Sequence, residues 1–302
     1  MNMRMQRPSA ALFLLTSLLL FGCEEDLGLR EAVPEPFTLY GVLSPDLDIQ
    51  SVRVYPLERF LTLPLEDPHG IVFTSTDLET GDQIVWQDTV LVAPNGQQDL
   101  IFWAPFRAEF GHRYRVEATR ASDGARSYAD VAIPLPVTVR LDEFDSPAIT
   151  ETNVRIDIEG EAFRILKPEI VYTITGLSDP STFTFGISHQ GSERPVEKGW
   201  ALDVNLWADR YHVQAKFTAL VGSGGIQCPI MALQSVALHL IVGDPPWNPP
   251  GGSFDPNLLS HQNALDNVEN GLGFVGAGYR IAEPFFPSRE AIEDACFVYV
   301  WE

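Results

Sequence analysis

Three cysteines, six histidines and one glycine-rich hexapeptide are the residues of this 302-residue chain whose type and spacing bear most directly on chemistry. The hexapeptide Gly271-Leu272-Gly273-Phe274-Val275-Gly276 matches G-x-G-x-x-G. A dinucleotide fingerprint must follow a strand, open a helix and sit in a βαβ unit. Here residues 266–270 do not read as a strand, and Pro284 and Pro287 interrupt the short stretch that remains. The glycines are read instead as sites of tight turning or close backbone packing in a β-rich domain. His69, His112, His189, His212, His239 and His261 form neither H-x-x-x-H nor H-x-H. Local zinc spacing is therefore missing, and a composite site of distant histidines stays open. Ser188-His189 does not reproduce the G-x-S-x-G elbow of hydrolases, which also needs an α/β sheet.

Carboxylates are plentiful but unpaired by spacing. Asp46 and Asp48, and separately Asp142, Glu143 and Asp145, could bind calcium. Neither run has the spaced oxygen ligands and glycine of an EF-hand loop, so turn chemistry is the expectation. A pair for glycoside hydrolysis cannot be assigned without geometry. Trp200, Trp207 and Trp247 are the candidates for an aromatic binding face. Trp247 sits among prolines, where ligand stacking and a loop clamp over the sheet are both open readings. No catalytic residue, no cofactor and no metal site are expected.

The N-terminus is read as an address. Arg4 and Arg7 precede an apolar run over residues 10–21, followed by Gly22 and Cys23. That order describes a secretory signal peptide, and the run falls short of the roughly 20 residues needed to span a bilayer. Leu20-Phe21-Gly22-Cys23 resembles a bacterial lipobox, which makes Cys23 the expected lipid-attachment site; Phe21 departs from the usual pattern. The alternative is an ordinary signal peptide with a chance cysteine. Glu24-Glu25-Asp26 opens a polar stretch, so residues 1–22 are assigned to the signal peptide and 23–36 to an acidic tether. Several acyl chains on one cysteine anchor stably where one would be marginal. Glu24, rather than Asp, follows the cysteine, and an acidic cluster there resembles a surface-export signal. The outer membrane is the expected location, with the periplasmic or exposed side left open. In that oxidising setting Cys228 and Cys296 are expected to pair, the alternative being two buried thiols.

Acidic residues outnumber basic ones 41 to 20, for a formal net charge of −21. A protein that displaces phosphate counterions needs a positive face, so nucleic acid is excluded as a partner class. The acids are spread along the chain and read as a solvated surface rather than one cation site.

The elements that must position these residues are mainly β. Residues 51–55 alternate with period two, and so do 113–118. Turn signals at Thr80-Gly81-Asp82, Pro94-Asn95-Gly96 and Asp123-Gly124 separate further short apolar runs. Residues 37–135 are therefore expected to form an immunoglobulin-like β-sandwich, with 110–114 as a tyrosine-corner type of strand start. Ile133-Pro134-Leu135-Pro136 is read as the boundary. Residues 136–302 are expected to form a second β-rich domain with one or two short helices. Its strands are placed at 137–141, 154–158, 170–175, 182–188, 202–206 and 211–219. Residues 235–242 are open to strand or helix. The Pro- and Gly-rich stretch 244–256 must be loop, with a short helix at 255–265. Ser288 is expected to cap a helix over 289–295, and 297–301 to close the chain as a strand.

These features together resemble a family of Bacteroidota lipoproteins, the domain-of-unknown-function family 4249. The likeness is carried by the cysteine with its acidic tether and by Gly70-Ile71-Val72-Phe73-Thr74-Ser75-Thr76-Asp77. Gly111-His112-Arg113-Tyr114, Asp123-Gly124 and the Pro134 boundary extend it. The most specific stretch is Asn267-Val268-Glu269-Asn270-Gly271-Leu272-Gly273-Phe274-Val275-Gly276, which departs from the family at Asn270 and Val275. The resemblance implies a sandwich, a second β-rich domain and no established activity. It also implies association with a TonB-dependent outer-membrane transporter, with the protein acting as a non-enzymatic accessory or binding module. A surface hydrolase of glycans or peptides, and a structural or adhesive surface protein, are the alternative expectations.

Overall fold

Alternating burial explains why the first strands form. In β2 (Gln50–Pro56) Val52 and Val54 point inward while Ser51 and Arg53 face solvent. In β7 (Arg113–Arg120) Tyr114, Val116 and Ala118 do the same. The computed structural model describes residues 36–56, 70–92, 96, 98–145, 152–161, 163–177, 181–221, 231–247 and 266–300. All of these belong to one compact unit, and the protein is mainly β, built from stacked sheets.

The remaining early strands are β1 (Phe37–Leu43), β3 (Ile71–Asp77), β4 (Gln83–Val85), β5 (Gln87–Val92), β6 (Gln98–Ala104) and β8 (Arg126–Ala132). One sheet runs β4-β3-β7-β8, and the other contains β1-β2-β6-β5. Trp86 makes the chain switch between them. Its N–H donates to Phe73 O at 2.9 Å, its Nε1 donates to Ser75 Oγ at 2.9 Å, and its ring meets Phe73 edge-on at 4.9 Å. Buried at this point, Trp86 ends β4 on one sheet and starts β5 on the other. At the start of β7, Tyr114 OH accepts the Glu109 N–H at 3.0 Å, the backward bond expected of a tyrosine corner.

The second half contributes β9 (Thr138–Asp145), β10 (Thr152–Glu159), β11 (Arg164–Gly176), β12 (Thr182–Ser188), β13 (Glu193–Val196) and β14 (Gly199–Asn205). Then follow α1 (Leu206–Val221), β15 (Met231–Gly243), β16 (Gly271–Phe285), α2 (Arg289–Asp294) and β17 (Val298–Tyr299). β13-β14-β10-β9 form a four-stranded sheet. It shares a hydrophobic core with β11, β12 and β15, into which α1 sends Leu206, Val213 and Phe217. α2 begins at Ser288, whose Oγ accepts the Ala291 N–H at 3.1 Å, as expected of that cap.

β16 was not anticipated as a strand, and it organises the molecule. Residues 271–277 pair in parallel with β1, and 278–285 pair antiparallel with β15. One strand thus joins both halves into a nine-stranded sheet. Val268, Val275 and Ala277 accordingly lie in the hydrophobic cluster of the first sandwich. A division at residue 135 gives the first sandwich less than it uses. Gly273 (φ +107°) lies so close to β1 that a Cβ there would sit 2.2 Å from Leu39 O. Four glycines within eight residues weaken the strand signal, because glycine offers no side chain to pack. Asn267 closes the approach to β16 by side chain: Nδ2 donates to Val275 O at 2.7 Å and Oδ1 accepts Val275 N–H at 2.9 Å. Asn270 takes φ +53°, a conformation that asparagine tolerates better than most residues.

One further reading changes: residues 211–219 lie in α1, not a strand. Residues 235–242, open to strand or helix, lie in β15. α1 starts where Asn205 Oδ1 accepts the Ala208 N–H at 2.8 Å. Its buried side also carries Asp209, Arg210 and Gln214, which blur the apolar stripe that would identify a helix. The expected helix at 255–265 lies outside the described residues.

Candidate functional site

A cleft of about 770 Å³ opens where the β13–β14 hairpin leans on the end of β10. Val196 and Gly199 are the last pair of that hairpin, so Glu197-Lys198 is a two-residue loop. Gly199 has φ +138°, and a Cβ there would lie 2.1 Å from Ile158 O. Only glycine lets the two backbones come this close. The Gly160 N–H donates to Lys198 O at 3.0 Å, fixing the loop against the end of β10. Trp200, half-buried, forms part of the lining, and its Nε1 donates to Phe163 O at 3.0 Å. The Arg164 guanidinium lies over its ring, 5.8 Å from the centroid. Pro136 and Pro195 complete the apolar part of the wall, with Thr138 beside them.

Glu159, Glu161 and Glu197 bring carboxylates to this cleft, with Lys198 beside them. Glu159 is engaged by Arg140 at 3.1 Å. Glu161, Glu197 and Lys198 are exposed, and their side chains make no hydrogen bond or ion pair among the described residues. Of these lining groups the sequence singled out Trp200 alone. The Glu-Lys-Gly turn before a strand was the available signal for the rest.

A second polar cluster lies inside the second core. Asp209 Oδ2 accepts from Tyr172 OH at 2.6 Å and meets His189 Nε2 at 2.8 Å. Burial, with Asp209 next to it, holds the Tyr172 hydroxyl well above its usual proton affinity. Ser188 Oγ accepts the Gln190 N–H at 3.4 Å. The His189 ring is thus engaged by Asp209, not by the Ser188 hydroxyl.

His112 sits between two carboxylates, with Nδ1 2.8 Å from Asp77 and Nε2 3.4 Å from Glu109. The hydrogen bond to Asp77 raises the His112 pKa. Burial works against the Asp77 carboxylate, but the His112 bond and the Glu79 and Thr80 N–H groups outweigh it and lower its pKa. Asp244, at the end of β15, is the opposite case. It has no solvent exposure, neither carboxyl oxygen has a well-formed hydrogen bond among the described residues, and burial, only partly offset by the nearby Ala277 and Asp244 N–H groups, pushes its pKa up to about 7.

The other sequence candidates separate. Asp46 accepts the Arg280 N–H at 2.7 Å and Asp48 pairs with Arg107 at 2.8 Å, so both serve protein groups. β9 carries the backbone of Asp142, Glu143 and Asp145, whose side chains are outside the described set. No cluster of three or more metal-ligating side chains occurs among the described residues. Trp207 packs edge-on against Tyr211 at 4.4 Å. Trp247 is buried against Phe274 at 5.5 Å and Leu166, the clamp arrangement. His212 and His239 are exposed, while His69 and His261 lie outside the described residues. Cys296 is disulfide-bonded; Cys23 and Cys228 lie outside the described residues.

No family model matches the chain, and no curated protein matches it either. Among solved structures it is similar to a pullulanase from Anoxybacillus sp. LM18-11 at 9% identity and a TM-score of 0.22. That likeness covers 68% of this chain and 24% of the pullulanase chain, and it carries no argument about fold or activity.

Proposed function

We propose that this protein is a lipid-anchored binding module of the outer membrane, tethered through Cys23 and serving as accessory to a TonB-dependent transporter. The observation that carries the binding role is the cleft at Trp200. Its walls are set by backbone contacts, with Gly160 bonded to Lys198 and Gly199 packed on Ile158, so the concavity exists before any ligand arrives. Ligand sites are usually preformed hollows with an apolar lining and a few placed polar groups. The anchor rests on the signal-peptide pattern, the lipobox-like junction and the acidic tether. The transporter association rests on the family resemblance. Cys228 is the proposed disulfide partner of Cys296.

The test is a pull-down of the intact lipoprotein from detergent-solubilised outer membranes, followed by mass spectrometry. Stoichiometric recovery of a large β-barrel supports the accessory reading. Recovery of the lipoprotein alone removes it. Cys23→Ala should release the protein from the membrane fraction, and retention of that variant would refute the anchor.

A hydrolase is the second reading, favoured by three glutamates lining one cleft. Two carboxylates across a scissile bond suffice for glycoside hydrolysis, with roughly 5–9.5 Å between them according to mechanism. Release of reducing ends from an oligosaccharide would separate turnover from binding.

A further inference from the structure

Building on the cleft reading above, we propose that the cleft at Trp200 takes a neutral saccharide. The mixed lining, with donors, acceptors and apolar surface together, points to this class. An anion would face Glu161 and Glu197, both without a counter-ion among the described residues, on a chain of net charge −21. A cation would be drawn by the two glutamates but opposed by Lys198, and the Arg164 guanidinium already lies over the Trp200 ring, so a cationic probe belongs in the test. Glu159 is neutralised by Arg140.

What remains at the mouth is a mixed set of hydrogen-bonding groups. Two carboxylates accept hydrogen bonds, an ammonium donates, and the Thr138 hydroxyl does either. Around them lie the apolar surfaces of Pro136, Phe163 and Pro195, with Trp200 lining the wall beside Arg164. A sugar ring presents hydroxyls that both donate and accept, together with C–H faces that pack on apolar surface. It is the ligand class that uses both halves of this wall at once. A purely apolar ligand would leave the polar groups unused. The volume falls inside the range of about 300–1,000 Å³ typical of small-molecule sites, and the hairpin bond to Gly160 keeps the wall from collapsing inward.

The experiment is calorimetric titration of the full mature chain with cellotriose, maltotriose, mannotriose and chitotriose. Spermidine and citrate serve as the cationic and anionic probes. At least one trisaccharide should saturate. Glu161→Gln and Lys198→Gln, both changes at exposed positions, should each weaken it by about tenfold, the loss of one charge-assisted hydrogen bond. Far-ultraviolet circular dichroism and the urea midpoint of each variant confirm that it is folded.

Silence of every trisaccharide, or affinity unmoved by both variants, overturns the proposal. Spermidine binding that is lost in Glu161→Gln also overturns it but leaves the cleft as a binding site, now for a cation. Silence of all six probes removes the binding reading as well.

Discussion

Asp244→Asn should make this protein more stable at pH 8 and leave it little changed, or slightly weaker, at pH 4. The wild-type carboxyl is fully buried, with neither oxygen well hydrogen-bonded among the described residues, and burial raises its pKa from the usual 3.8 to about 7. In the unfolded chain the group ionises at its usual value. Between those two values the folded state holds a proton that the unfolded state has released. Stability therefore falls with rising pH across that window, by about 1.4 kcal/mol per pH unit. Over roughly three units the group costs at most about 4 kcal/mol by neutral pH. Asparagine cannot ionise, so that slope vanishes. The buried amide keeps a desolvation cost of about 1–3 kcal/mol, which does not depend on pH. The slope of the difference is thus the signature, not its offset. Urea unfolding of both proteins at several pH values from 4 to 8.5, with the disulfide intact, measures it. A difference between the two proteins that stays flat with pH would refute the argument, as would a variant weaker than wild type at pH 8.

The His112–Asp77 pair should show two opposite pH limits. His112 has a raised pKa, so its contribution is full below 6.5 and is lost as pH climbs through the raised value; Asp77 has a lowered one, so its contribution is full above 3.8 and is lost as pH falls through the lowered value. Asp77→Asn should move the His112 titration, followed by NMR, down toward 6.5, and an unmoved titration would show that the contact is not made in solution. Tyr172→Phe removes one donor from the buried Asp209 carboxylate and should cost about 1–3 kcal/mol by urea unfolding; a neutral result would mean that another donor replaces it. Gly199→Ala places a Cβ against Ile158 O at positive φ and should destabilise by more than about 1 kcal/mol while weakening any cleft ligand.

How legible the molecule is depends on the range of the interactions that build it. β2 and β7 could be read directly, because burial on one face writes a period of two into neighbouring residues. Ser288 marked α2 for the same local reason: a cap and its helix lie within four residues. α1 was misread because tertiary burial of Asp209, Arg210 and Gln214 interrupts its apolar stripe. β16 escapes a local reading because its glycines answer to distant partners: Gly271 and Gly273 to the β1 backbone 230 or so residues away, Gly276 to Trp247, and Gly278 to β15.

The candidate site divides in the same way. Trp200 stood out by residue type. Glu159, Glu161 and Glu197 did not, since the hairpin docking that gathers them depends on Gly199 meeting Ile158 and on Gly160 bonding to Lys198. Trp247 looked equally suited to ligand stacking and to clamping; packing against Phe274 and Leu166 decided for the clamp. Asp244 gave no sign of itself, because an aspartate before two prolines reads as an ordinary turn residue, and only the closure of β15, β16 and the Trp247 turn around it removes its water. By itself the sequence determined the β class and the acidic surface, which follow from composition and local alternation. Which strand joins the two halves, which carboxylates share a cleft and which one is sealed away were decided by tertiary structure, because each depends on contacts between residues far apart in the chain.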